Sequence, residues 1–236
     1  VSGLRRRAHY LFQDPSASLS PRLSVRALLR EGLDIQRIGT RAEREARVRA
    51  ALAAVELGPE ALDRYAHEFS GGQRQRLGIA RALAMAPSLI VADEPVSALD
   101  VSIQAQIINL LAGLRDRMGL AMLFISHDLA VVEYLCDRVI VLYLGRVMEV
   151  ARAADLYAAP RHPYTRALLS AVPDPDPDRV GARQILSGEV PSPGNPPSGC
   201  VFRTRCPHAL PVCGEAVPAL RELSPGHAHA CWRDDL

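Results

Sequence analysis

The sequence predicts an α/β fold: a largely parallel sheet with a helical insertion, followed by an irregular cysteine-containing extension. Three observations carry that reading. Apolar runs of strand length alternate with amphipathic stretches through the first 150 residues, no strand signal appears across residues 21–65, and the composition changes near residue 151. Beyond that point lie 13 of the 18 prolines and four of the five cysteines. Residues 1–150 are therefore expected to form one domain, with its helical part at about 21–65, and residues 151–236 a separate extension.

The strand expectations are the apolar runs 8–12, 89–92, 121–125 and 139–142, joined by helical patterns and hence parallel. Within the insertion, residues 41–57 read as a helix: Val48, Leu52 and Val55 share a face, and Glu43/Arg47 and Glu45/Arg49 stand at i,i+4. Gly58-Pro59 supplies its stop. An amphipathic helix is expected from Ser70 through Met85, and a second from Val101 to about Met118. Residues 142–150 read as a hairpin turning near Gly145.

With 236 residues, 48% of them hydrophobic, the chain can bury a sizeable core. Its 28 basic and 26 acidic residues leave a formal charge of +2, which excludes a strongly basic nucleic-acid binder. All 28 basic residues are arginine, so chemistry that needs a lysine ammonium is absent from these residues. No run of about 18 apolar residues is present to suggest a membrane span, and the Arg5–Arg7 cluster lacks the apolar stretch of an export signal. Residue 1 is Val and the first methionine is Met85, so the sequence is expected to be a piece of a longer chain.

The strongest local signal is the apolar run 88–92 ending in Asp93-Glu94-Pro95. At the carboxyl end of a parallel strand, carboxylates face the crevice where such sheets bind ligands; one can hold Mg²⁺ and the next can orient or deprotonate a water. Taken alone, the pair suits a surface turn equally well. Upstream, Ser70 can cap a helix whose first residues, Gly71 and Gly72, let backbone N–H groups approach an anion. Downstream, Ser97-Ala98-Leu99-Asp100 precedes a helix, and the run 120–125 delivers Ser126-His127-Asp128, placing His127 on the same edge as the acidic pair.

In this order the motifs resemble the nucleotide-binding subunits of ABC transporters, a P-loop NTPase family. The matching residues are the Ser70-Gly71-Gly72-Gln73 signature, the Walker B strand ending Asp93-Glu94, the Asp100 loop, the His127 switch and the glutamine loop Phe12-Gln13-Asp14-Pro15. The resemblance implies that ATP and Mg²⁺ are bound. By it, Gln13 senses Mg²⁺ and the γ-phosphate, Asp93 holds Mg²⁺, Glu94 is the general base, His127 stabilises the γ-phosphate and Asp100 communicates between subunits. Ser70, Gly71, Gly72 and Gln73 would complete the site of a second ATPase subunit. Phe69 stands where the family usually has Leu. The family's phosphate cradle, GxxxxGK[ST], does not occur in these residues, so the isolated chain is expected not to hydrolyse ATP.

The extension resembles that of oligopeptide and dipeptide importer ATPases, through His162-Pro163-Tyr164-Thr165, the segment 196–202, Arg205-Cys206-Pro207 and Cys231-Trp232. This implies a peripheral subunit on the cytoplasmic face of the inner membrane. Its partners would be a second ATPase, two membrane permease subunits and an extracytoplasmic peptide-binding protein. Nickel importer ATPases of the same family and non-transport ABC ATPases are the alternatives. Cys200, Cys206, Cys213 and Cys231 suggest a metal staple; four thiolates alone favour zinc, whereas the family resemblance implies a 4Fe-4S cluster, and free thiols are the third reading. His208, His227 and His229 are expected to be solvated, and Cys136 to be core.

Overall fold

A computed structural model describes residues 6–14, 19–172 and 184–235. Pro15 of the glutamine-loop motif, and Val1 and Arg5, lie outside the described residues. The chain forms two compact units, Val1–His127 and Asp128–Leu236.

In the first unit, β1 (Ala8–Leu11), β2 (Leu89–Asp93) and β3 (Ala121–Ile125) form a parallel sheet in the order β1-β2-β3. Leu11 pairs with Ala92 and Asp93 with Ile125, so all three strands end at one edge. The insertion contributes α1 (Val25–Ile35) and α2 (Arg41–Ala54), with short 3₁₀ turns at Pro59–Asp63 and Ala66–Glu68. Its two ends meet in a bridge between Ser24 and Tyr65, and the Val25 N–H donates to the Arg64 carbonyl at 2.8 Å.

The apolar face of α2 is buried at Val48, Leu52 and Val55, as its periodicity demands. Two local details differ from the sequence reading. The helix stops at Ala54, ahead of Gly58-Pro59, because Glu56 takes a left-handed φ of 60°. Glu45 pairs with Arg49 at 3.0 Å, but Glu43 instead completes a capping box, accepting from the Thr40 N–H at 2.6 Å. That hydrogen bond lowers the Glu43 carboxyl's pKa and satisfies a helix-end donor.

Next come α3 (Gly71–Ala84) and α4 (Val101–Met118). Leu77, Ile79 and Ala80 of α3 and Ile107, Leu111 and Leu114 of α4 are buried in the core with Ile90 of the sheet. Gly119, at φ 61°, ends α4 in the left-handed conformation that suits glycine.

The second unit opens with α5 (Leu129–Leu135), followed by the hairpin β4 (Arg138–Tyr143) and β5 (Arg146–Arg152). The run 139–142 therefore does not extend the parallel sheet. Leu144 and Gly145, with φ of 46° and 73°, make a two-residue turn, and so short a connection permits only antiparallel pairing. The extension adds α6 (Ala153–Ala158), α7 (Pro163–Leu169), α8 (Val212–Glu215), β6 (Arg221–Ser224) and β7 (His227–His229). Strand β7 pairs with β5, giving an antiparallel sheet in the order β4-β5-β7-β6. Composition changes near residue 151, yet the hairpin before that point belongs with the residues after it, because β5 supplies the edge on which β7 forms.

The extension also has an apolar core. Phe202 is fully buried with Val201, Met148 and Tyr143, and its ring lies 5.3 Å from Tyr143 and 5.2 Å from Tyr164, centroid to centroid. Beside it, Glu149 of β5 is fully buried and anionic. It accepts hydrogen bonds from the N–H groups of Arg161 (2.7 Å) and His162 (2.9 Å) and from His227 Nε2 (2.7 Å). Burial alone would raise its pKa, but these donors together with Thr165 lower it. His162 caps α7, its Nδ1 accepting from the Tyr164 N–H at 3.1 Å, and burial pushes its pKa down to about 4.

The His162 shift has a measurable consequence. Above pH 6.5 the imidazole is neutral in both folded and unfolded chains, so its contribution to stability is constant. Below that, the unfolded chain takes up the proton first, and stability falls until about pH 4, where the folded imidazole also protonates. Urea titrations are expected to show about 3 kcal/mol lost from this group across that interval. His162→Gln, which cannot titrate, should flatten most of the loss.

Candidate functional site

The parallel register sets the geometry of the site. Gln13 follows β1, Asp93 ends β2, Glu94 comes directly after it, and His127 lies two residues past β3. The common carboxyl edge of the three strands brings these side chains together. Glu94 is the centre of the group: Gln13 Nε2 donates to Glu94 Oε2 at 3.0 Å, and His127 Nδ1 lies 3.0 Å from Glu94 Oε1. His127 is largely exposed, whereas Glu94 is more than two-thirds covered.

Two features of this group were not anticipated from sequence. Glu94 has a φ of 43°, left-handed backbone that costs a residue with a side chain about 1–3 kcal/mol. The surroundings hold it there: its N–H donates to the Ile125 carbonyl at 2.9 Å, and its own carbonyl accepts from the Ser97 N–H at 3.2 Å and Oγ at 3.1 Å. The second feature is Tyr10, on β1, whose hydroxyl donates to Asp93 Oδ2 at 2.5 Å. That bond raises the Tyr10 pKa, since the carboxylate favours the protonated phenol. Alternation along β1 marks Tyr10 as facing one side of the sheet, but only the register places it beside Asp93.

Among the described residues, no arginine forms an ion pair with Asp93 or Glu94. Two neighbouring carboxylates with no arginine partner, flanked by an amide side chain, are an oxygen-donor set that suits Mg²⁺. Asp93 and Gln13 are the residues that would hold it, and it would supply charge neutralisation for a phosphate.

Ser70 caps α3 in a capping box. Its Oγ accepts from the Gln73 N–H at 3.3 Å, while Gln73 Oε1 accepts from the Ser70 N–H at 3.0 Å. Phe69 is buried ahead of the cap, with the Arg64 guanidinium 4.4 Å above its ring, so it fills an apolar position as Leu would. The two glycines sit against the Asp100 loop. A Cβ on Gly71 would meet Leu99 Cδ2 at 3.5 Å, and one on Gly72 would lie 2.4 Å from Ile103 Cγ2. Asp100 takes the cap position of α4 without a side-chain cap bond, which leaves its exposed carboxylate outward.

The four cysteines of the extension are free thiols, and Cys200 and Cys213 are buried. Among the described residues, no three Cys, His, Asp or Glu side chains come together as ligands for a single metal ion. The expected zinc staple therefore has no ligand set among the described residues. Burial raises the thiol pKa of Cys200 and Cys231 and pushes that of Cys206 up to about 11. The thiols nonetheless feel one another electrostatically, and backbone N–H groups point at their sulfurs: Leu210 at Cys213 (3.4 Å) and Arg233 at Cys231 (3.5 Å). His227 and His229 are not solvated. Both are buried, His227 on Glu149 and His229 with Nε2 3.1 Å from Asp234 Oδ1. The available signal was Glu149 itself, a carboxylate between Val147 and Ala151 on one face of a strand, which needs buried donors. Cys136 is half-buried against the core of α5 and the hairpin.

The Gly72 contact makes a prediction. Ile103 is β-branched and stiff, so its methyl cannot swing away cheaply. Gly72→Ala is expected to destabilise the chain by about 1–3 kcal/mol in urea unfolding. Adding Ile103→Ala should recover most of that loss, with coupling measured by the double-mutant cycle.

With this geometry in hand, comparison with known proteins is specific. Residues 1–97 match the ABC transporter family, and residues 148–213 match the oligopeptide/dipeptide transporter C-terminal region. The chain is 69% identical to a putative peptide import ATP-binding protein of Brucella ovis, over 98% of its own length and 73% of the relative's. It is 54% identical to the oligopeptide transport ATP-binding protein OppF of Escherichia coli, over 95% of the chain and 68% of the relative. Among solved structures, it resembles cbiO1 from Clostridium perfringens, part of the ABC transporter complex cbiONQ, with TM-score 0.61 and 29% identity over 66% of this chain and 61% of that one. It also resembles the ATP-binding cassette MJ0796 bound to ADP and Pi, with TM-score 0.56 and 30% identity over 64% and 65% of the two chains. The chain thus spans less than two thirds of these solved cassettes. On the identity to the Brucella and Escherichia relatives, the chain belongs to the oligopeptide/dipeptide-transporter family of ABC ATP-binding subunits, with the ABC ATPase fold.

Proposed function

We propose that this chain forms the water-activating half of an ATP site in an importer of di- or oligopeptides. The observation that carries the reading is Glu94, held in left-handed backbone at the carboxyl edge and bracketed at 3.0 Å by Gln13 and His127. A carboxylate fixed in this way can accept a proton from an attacking water. Gln13 and His127 orient it now, and both are of a type to bond phosphate oxygens. Asp93 would hold Mg²⁺, and the Ser70–Gln73 segment, with Asp100 beside it, would face the nucleotide of a second ATPase subunit. The names of the relatives support peptides over nickel as cargo.

Membrane permeases are the partners of such a subunit. The fuller assembly proposed is a second ATPase, two permeases and an extracytoplasmic peptide-binding protein, with this chain peripheral on the cytoplasmic face. Among the described residues no helix is long and apolar enough to cross a membrane.

The 236 residues contain neither lysine nor a GxxxxGK[ST] cradle, so the purified chain alone is expected to show no ATP turnover. Turnover that disappears in Glu94→Gln would overturn this. In a chimera joined to a phosphate-binding segment of that type, Glu94→Gln should lower ATP turnover at least about 10²-fold while nucleotide binding persists. Unchanged hydrolysis would remove Glu94 from the role of base.

For the extension, the reading is a polynuclear iron-sulfur cluster on Cys200, Cys206, Cys213 and Cys231. A single zinc ion needs each thiolate about 2.3 Å from the metal, and among the described residues no such group is assembled, whereas a four-iron core spreads its four thiolates wider. The mutual electrostatic influence of the thiols and the N–H groups aimed at Cys213 and Cys231 support that site. Bound there, the cluster would staple the loops of the extension. Anaerobically purified protein is expected to be brown with a broad visible absorption; a colourless protein would sink the reading.

A further inference from the structure

We infer that Glu149, His162 and His227 form a buried latch that fixes the stretch of chain leading into Cys231. Its role in assembling a metal site rests on the four-cysteine reading above, but the latch stands without any metal bound.

The argument is geometric. Strand β7 is only three residues long and pairs with β5 through two register partners, Glu149 with His229 and Val150 with Ala228. So short a strand has little hold of its own. Strand β6 pairs along its other edge, and side chains add to the hold on β5. His227 reaches back to the buried Glu149 carboxylate at 2.7 Å, across 78 residues of sequence. The same carboxylate takes the N–H groups of Arg161 and His162, so the start of α7 and the start of β7 hang on one charge. His162 adds to this: its Nδ1 is used within α7, and the backbone of Ala230, the residue before Cys231, lies near enough to the buried imidazole to raise its pKa against the effect of burial. The Ala230 N–H in turn donates to the Met148 carbonyl at 2.8 Å. Cys231 is thereby fixed from its N-terminal side by contacts that involve no cysteine.

This gives the His162-Pro163-Tyr164 motif a physical task. Pro163 starts α7 with its φ preset, Tyr164 supplies the N–H that fixes the imidazole tautomer, and the imidazole lies near Ala230, just past β7. These are positioning residues, acting on Cys231 through the backbone.

The test is site-resolved thiol labelling of the reduced, metal-free full chain with N-ethylmaleimide, followed by mass spectrometry. His227→Ala removes one charge-assisted donor and should raise the labelling rate of Cys231 about tenfold while leaving Cys136 at its wild-type rate. Glu149→Gln should do the same, because an amide presents a donor to the Arg161 or His162 N–H. His227→Gln keeps a donor for Glu149 and should stay within about twofold of wild type. The latch is overturned if Cys231 labels at the wild-type rate in both His227→Ala and Glu149→Gln, or if Cys136 accelerates in step with Cys231, since that would report opening of the whole unit. Because labelling is done without metal, a colourless protein with an intact labelling pattern would refute the cluster and leave the latch.

Discussion

The parallel register of three short strands is the constraint on which the candidate nucleotide site depends. Parallel strands joined by helices deliver every loop after a strand to the same edge, so residues more than 80 positions apart, such as Gln13 and Glu94, meet without a long-range design of their own. The strained backbone at Glu94 is tolerable for the same reason. Its amide is a continuation of the ladder, bonded to the last carbonyl of β3, so the sheet holds the residue in a conformation it would otherwise leave.

The second unit is organised by a different kind of interaction. A buried charge is expensive unless several donors meet it, and removing one donor leaves the charge uncompensated. Glu149 turns that expense into specificity, since only one arrangement of α7, β5 and β7 brings Arg161, His162 and His227 to its oxygens together. The apolar counterpart is Phe202, whose aromatic neighbours come from β4 and α7.

What the sequence reveals and what it hides divide along the range of the interactions. The strands at 8, 89 and 121, the capped helix after Ser70 and the helix from Val101 are written in local patterns, and each forms close to its expected bounds. The hairpin strand at 139 looks alike in its apolar content but pairs the other way, because a two-residue turn overrides the alternation argument. Strand β7 is illegible in sequence: His-Ala-His has no apolar alternation and exists by virtue of its partner. The same holds for the site. The identities of Gln13, Glu94 and His127 are motif-level facts. The positive φ of Glu94 and the bond from Tyr10 to Asp93 are products of register.

The pairing of β7 with β5 carries a consequence for biosynthesis. As the polypeptide emerges, the β4–β5 hairpin is made well before the residues that complete its sheet, and in that interval β5 presents an open edge with a carboxylate on it. Until its donors arrive, the Glu149 carboxylate has only water to satisfy it, since burial without them is costly. Once His227 arrives, the same group becomes interior. A single side chain thus passes from water in the unfinished sheet to the interior of the finished one.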